Sequence, residues 1–212
     1  YAGLGLEAVT STPQGFTVML DVGADVRADA RDLLQYAMMG ASYARNGMDL
    51  SRPRIGLLNV GTEEHKGRTE LKEAHGLITD FAENAKFDFV GFVEGGDIPG
   101  NRADVIVTDG FTGNVAIKTG EGTANLIGDL LRVKKRFPEA VVAYDKAIAL
   151  LGAPQPAHWP LYYDRGIALE RSREWARAEA DFLQALSFVP DQPFVLNYLG
   201  YADDSDDKAE LE

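Results

Sequence analysis

The chain has 212 residues, is 45% hydrophobic and carries a net charge of −12, enough apolar content for one large or two small globular domains. It has no cysteine, which excludes disulfides, thiolate metal sites and a cysteine nucleophile, and His65, His75 and His158 lack the H-E-x-x-H spacing, so no structural metal is expected. The acidity argues against nucleic acid, and no stretch reaches the roughly 18 consecutive apolar residues of a membrane span, so a cytoplasmic protein with small-molecule or protein partners is expected.

Residues 1–15 show no clear period and begin without a methionine, as a domain entered part-way through would. Phe16–Val22 (FTVMLDV) predicts a buried strand that stops at Asp21-Val22-Gly23-Ala24-Asp25, an acid beside a glycine at a strand's carboxyl end. Ala28–Asn46 predicts a helix whose apolar face is Leu33, Leu34, Ala37, Met38, Ala41 and Ala44. Arg54–Val60 (RIGLLNV) is the next strand. It runs into a polar loop, Gly61–Gly67 (GTEEHKG), where Lys66 is a candidate anion partner, and then into a helix over Thr69–Asn84. Phe87–Val93 (FDFVGFV) predicts another strand, closed by Glu94-Gly95-Gly96-Asp97 and a Pro-Gly-Asn turn.

The stretch Ala103–Thr119 (ADVIVTDGFTGNVAIKT) organises the rest. Val105–Val107 is a β-branched run suited to a buried parallel strand; Gly110 and Gly113 relax the backbone, and Thr112 or Asn114 is placed to cap a helix beginning near Thr112. A helix start at a strand's carboxyl end favours an anion by about 0.3–1 kcal/mol when exposed, which makes this joint a phosphate-type candidate. An ordinary capped strand–loop–helix joint has the same spacing. Neither G-x-x-x-x-G-K-[ST] nor G-x-G-x-x-G is present, which weighs against a nucleotide-binding domain. Strands alternating with helices predict right-handed β-α-β units. The expected fold over 1–132 is a Rossmann-like three-layer α/β domain, a mainly parallel sheet with helices on both faces.

At Val133–Arg136 the character changes and the pattern becomes wholly helical. Gly166 and Gly200 lie 34 residues apart, as do Tyr162 and Leu196, while Ala178, Phe182, Ala185 and Pro190 follow Gly166 at tetratricopeptide (TPR) offsets. Ala140, Tyr144 and Ala147 repeat the set upstream. Residues 133–203 therefore predict a TPR-like all-α segment that binds a protein or peptide, with Gly166 and Ala178 at close-packed positions and Arg165 or Arg173 facing a ligand. Residues 204–212 form an acidic tail expected to be disordered.

Four motifs, LDVGAD (Leu20–Asp25), GLLNVGTEEHKG (Gly56–Gly67), GFVEGGD (Gly91–Asp97) and TDGFTGNVAIKT (Thr108–Thr119), together resemble the bacterial phosphate acyltransferases of phospholipid synthesis, the PlsX family. The resemblance covers roughly residues 1–132. It implies a cytoplasmic homodimer, at most peripherally attached to membrane and without metal or organic cofactor, that moves a fatty acyl group from acyl carrier protein to inorganic phosphate. On matching positions it implies catalytic roles for Asn114, Lys118, Asp109 and Lys66, and substrate or phosphate binding by Asp21, Gly23, Asn59, Gly110, Thr112 and Gly113. Lys118, one helical turn beyond Asn114, either folds back to the site or lies along solvent. Two departures stand out. Asp25 replaces the family's usual asparagine, and the family's first half, with its Gly-Asp-rich opening strand and Gly-Asn-Thr-Gly loop, has no counterpart here. If the repeat segment were the working part, the chain would instead be an interaction module carrying an inactive α/β remnant.

Overall fold

The structure, a computed structural model, describes residues 9–12 and 15–199. The expected disordered tail and Gly200 of the repeat lie outside the described residues. Among the described residues the chain divides into two compact units that part between Thr119 and Gly120.

The first unit holds one five-stranded sheet. Its strands are β1 (Val9–Thr12), β2 (Gly15–Leu20), β3 (Arg54–Leu58), β4 (Asp88–Val93) and β5 (Val105–Val107), in the order β1-β2-β5-β3-β4. The last four run parallel, and β1 pairs antiparallel with β2. Helix α1 (Ala30–Gly47) joins β2 to β3, and α2 (Thr69–Phe81) joins β3 to β4. The fold is α/β, four parallel strands with helices on both faces, as the alternation predicts.

Side-chain alternation explains the layering. Val18, Leu20, Ile55, Leu57, Val105 and Val107 point to one face and make a single core with Leu33, Ala37 and Ala41 of α1 and Leu71, Ala74 and Ile78 of α2. Met19, Ile106 and Val93, out of phase with that set, are buried on the other face. There Gly56 lets Val93 and Ala103 close over the sheet: a Cβ at Gly56 would lie 2.6 Å from a Val93 methyl and 3.2 Å from the Ala103 Cβ. Asp29 caps α1 by accepting the Arg31 and Asp32 N–H groups, with Asp32 returning the bond to the Asp29 N–H.

Two features depart from the sequence reading. Strand β1, which pairs with β2, lies in residues that show no period. Strand β4 carries a bulge, since Ile55 pairs with Phe89 but Leu57 with Phe92, and Gly91 takes a positive φ of 79°. The extra residue turns both Phe89 and Phe92 toward α2, where the His75 ring sits 5.0 and 4.8 Å from theirs.

Helix α3 (Gly110–Val133) begins in the first unit and continues into the second, where α4 (Phe137–Ala149), α5 (Trp159–Arg171) and α6 (Trp175–Phe188) follow. The second unit buries Ala140, Tyr144, Ala147, Leu169, Ala178, Phe182 and Ala185 together. Gly166 and Ala178 are close-packed: a Cβ at Gly166 would meet the Phe182 ring at 2.6 Å, and Ala178 is buried. The expectation that Arg165 faces a ligand is corrected. Its guanidinium is largely buried and takes two 2.7 Å bonds to Asp181 and a third to Asp145, because a charge placed between two packed helices must be paired. Arg173 is exposed.

Candidate functional site

Strands β2, β5 and β3 are adjacent, so the loops leaving their carboxyl ends meet at one edge of the sheet. Each loop carries sequence-predicted site residues. After β2, the fully buried Asp21 folds its loop back on itself, its carboxylate accepting the Ala24 N–H (3.1 Å) and the Asp25 N–H (2.6 Å). Gly23 has a positive φ of 112°, which only glycine adopts without strain, and faces Asn114 of α3, whose Cβ would lie 3.8 Å from a Cβ built there. The Asp25 carboxylate accepts the Arg27 N–H (3.1 Å) and the Tyr36 hydroxyl (3.2 Å). Burial and the Asp25 charge push the Tyr36 phenol up from its ordinary value.

After β5, the chain enters α3 at Gly110, two residues before the predicted start, and the cap is neither Thr112 nor Asn114. Asp109, 2% exposed, accepts the Thr112 N–H on one carboxylate oxygen and the Thr112 hydroxyl on the other, each at 2.9 Å. Its short side chain sits one position before the helix, where an acceptor reaches the orphan donors of the first turn. The Gly113 N–H bonds to the Asp109 carbonyl (2.9 Å) and the Gly110 N–H to the Asp25 carbonyl (2.7 Å). Thr112, Gly113 and Gly110 thus spend their N–H groups on the protein itself. The two glycines are close-approach positions: a Cβ at Gly113 would overlap the Asp21 carbonyl oxygen, and one at Gly110 would lie 2.8 Å from an Asp21 carboxylate oxygen. Asn114 and Lys118 are exposed on the same helix.

After β3, Asn59 is 7% exposed and its amide donates to the Gly61 (3.1 Å) and Lys66 (3.2 Å) carbonyls, pinning the loop at both ends. Among the described residues its Oδ1 has no hydrogen-bond partner, and it is packed against Gly67, whose φ is 85°. Lys66 is paired at 2.7 Å with Glu63. Glu63, helped by Glu94, holds that ammonium above its ordinary range, and Lys66 in turn holds the Glu63 carboxyl down.

Sequence reasoning missed Arg68. It stands immediately before α2, makes no cap for that helix, and reaches across to ion-pair with Asp109. Burial pushes the Asp109 carboxyl up, but the Thr112 N–H and Arg68 outweigh it and hold the group below the ordinary carboxylate range. An arginine beside the GTEEHKG glycine was visible; which loop it reaches was not. Among the described residues no three His, Cys, Asp or Glu side chains are grouped to hold a metal ion, and no helix is long and apolar enough to cross a membrane.

A mainly parallel open sheet whose neighbouring strand ends carry a capped helix start, two pinned loops and a cross-loop ion pair belongs to the α/β class in which ligand sites form at the carboxyl ends of strands. The chain belongs to the fatty acid synthesis protein family, whose model matches residues 5–154. That match takes in every loop of the site and α4 as well. Similar proteins include a phosphate acyltransferase of Ruegeria pomeroyi, 77% identical over 123 residues, which are 58% of this chain and 33% of that protein. Those of Paracoccus denitrificans and Roseobacter denitrificans are 69% identical over 141 residues and 74% over 128, covering 66% and 60% of this chain and 38% and 36% of theirs. The chain spans about a third of the length of these curated relatives.

Proposed function

We propose that the first unit is part of an acyltransferase that moves a fatty acyl group from acyl carrier protein to inorganic phosphate, giving an acyl phosphate for phospholipid synthesis. The observation that carries the reading is the convergence of three adjacent strand ends around the start of α3, with Asn114 opposite Gly23, in a chain of this family. A phosphate oxygen attacks the thioester carbonyl, the C–S bond breaks and the carrier thiolate leaves. Phosphate is already anionic at neutral pH, so the reaction needs no serine or cysteine nucleophile, only positioning and donors for the oxyanion. Asn114 supplies a neutral donor beside the loop of Gly23, and Lys66 and Lys118 supply charge, Lys66 by exchanging Glu63 for the anion. Asp21 and Asp109 orient the loops, Asn59 fixes the third, Gly110 and Gly113 let α3 approach Asp21 closely, and Thr112 ties the first turn to Asp109. Thermal unfolding of the purified chain against phosphate and sulfate tests the site. Phosphate raising the unfolding temperature of the α/β unit is the expected result, and no protection by either anion overturns it.

We infer further that α4, α5 and α6 are TPR-type helices offering a surface to a protein or peptide. Support comes from the 34-residue spacing and the fit of Phe182 against Gly166. Homodimerisation, a cytoplasmic location and at most peripheral membrane contact rest on the resemblance.

A further inference from the structure

We infer that Arg68 is a positioning residue for the phosphate site, acting through Asp109 and not by touching the anion. The inference rests on the phosphate reading of that site. Two carboxylates crowd the start of α3. An Asp21 carboxylate oxygen approaches Gly110, and Asp109 caps the helix. An anion binding beside them meets repulsion unless one of these charges is neutralised on the protein side. Asp109 is the carboxylate so neutralised: it is 2% exposed, so the charge it keeps is poorly screened by water, and Arg68 is its cationic partner.

The pairing is also mechanical. Arg68 belongs to the loop between β3 and α2, and Asp109 to the joint between β5 and α3, so one ion pair ties together two of the three loops that form the site. The two oxygens of Asp109 also hold Thr112 through its N–H and its hydroxyl, so the position of Arg68 is passed directly to the first turn of α3, which Asn114 immediately follows. Removing the guanidinium leaves a buried carboxylate whose remaining donors are both on Thr112. The negative charge then falls on the anion site, and the β3 loop is released from the α3 start.

The experiment is a phosphate titration of four forms of the whole chain, wild type, Arg68→Gln, Asp109→Asn and the double variant, with Arg68→Lys as the conservative rescue. Affinity is read by calorimetry and by phosphate-dependent unfolding. Arg68→Gln should weaken phosphate binding about tenfold or more, Arg68→Lys should recover most of it, and Arg68→Gln should have little further effect once Asp109 is asparagine. An equal loss in the Asp109→Asn background would mean that Arg68 touches the anion itself, and an unfolding temperature lowered equally with and without phosphate would mean that it only holds the fold; either result overturns the inference. A wild-type chain that binds no phosphate overturns the site reading on which it rests, whereas phosphate bound equally by wild type and Arg68→Gln removes this inference alone.

Discussion

Asn114 and Asp109 lie five residues apart and divide what the spacing alone leaves undivided, a helix cap and an anion contact. Since Asp109 holds the Thr112 N–H, Asn114 is relieved of capping and is exposed beside Gly23. Asn114→Ala should therefore shift the phosphate-free stability by no more than about 0.5 kcal/mol, as exposed substitutions do. It should remove most of the stabilisation that phosphate adds as RT ln(1 + [L]/Kd). Asp109→Ala should behave oppositely, costing about 0.5–2 kcal/mol through the lost cap even without phosphate. Unfolding of both variants with and without phosphate decides it. Equal losses under both conditions in Asn114→Ala would make that residue structural. The acid at position 25 also finds its account here: both oxygens of Asp25 accept hydrogen bonds from within the protein, so its charge is tied to Tyr36 and the Arg27 N–H.

Elements were legible where one physical preference dominated. The β-branched Val105–Val107 run, closed by Asp109-Gly110, marks β5 to the residue, and the apolar face of Leu33, Ala37 and Ala41 marks α1. The bulge in β4 was hidden because FDFVGFV satisfies a period of two with either phenylalanine facing the core; only the approach of α2 and His75 selects both. The hairpin partner of β2 was hidden by a short polar sequence, VTST, and the reach of Arg68 by its dependence on tertiary proximity. The glycines of TDGFTGN were legible as special but not as close approaches to Asp21. In the helical unit, Ala178 is buried beside Phe182, so Ala178→Leu should overpack the hairpin and cost about 1–3 kcal/mol, read as a lower helical unfolding temperature. An unchanged melt would show that the repeat register is wrong. The same unit contains a pH-sensitive group. Burial, opposed by Arg132 and reinforced by Asp129, pushes the Asp164 carboxyl up to about 6 from 3.8. A raised folded pKa favours the folded state below the unfolded value and loses that contribution as pH rises through the folded one, here between 3.8 and about 6. Asp164→Asn should match wild type near the bottom of that window. Above it the variant should be more stable by about 1–2 kcal/mol, discounted because the side chain keeps 21% of its surface exposed. Melts at intervals across the window test this, and a difference independent of pH would remove Asp164 as the cause.

At the scale of the whole molecule, a site assembled from several strand ends meets a chain that spans about a third of its relatives' length. Turnover requires the thioester, the phosphate and the oxyanion donors to be held at once, and misplacement by about 1 Å can cost 10²-fold. The chain alone should therefore form little or no acyl phosphate from acyl carrier protein and phosphate, even where phosphate binding survives. Turnover at the level of a full-length relative in the same assay would refute this. Association follows from the sheet by a separate route. Among the described residues β4 closes one side of the sheet and β1 the other, and both present an edge. Half of β4 is only partly buried, with Phe89 and Val90 reaching the surface, and its bulge at Gly91 disturbs pairing over only part of its length. Among the described residues no strand pairs with its outer side, which leaves an edge that another strand can extend. The chain should therefore form dimers or larger assemblies whose fraction rises with concentration in sedimentation velocity. A lysine placed on the outer edge of β4, Val90→Lys, should reduce that fraction by setting like charges face to face across the paired edges while leaving the unfolding temperature nearly unchanged, since Val90 lies outside the core. A strictly monomeric chain that unfolds cooperatively would count against an open edge, and association untouched by Val90→Lys would move the contact away from β4.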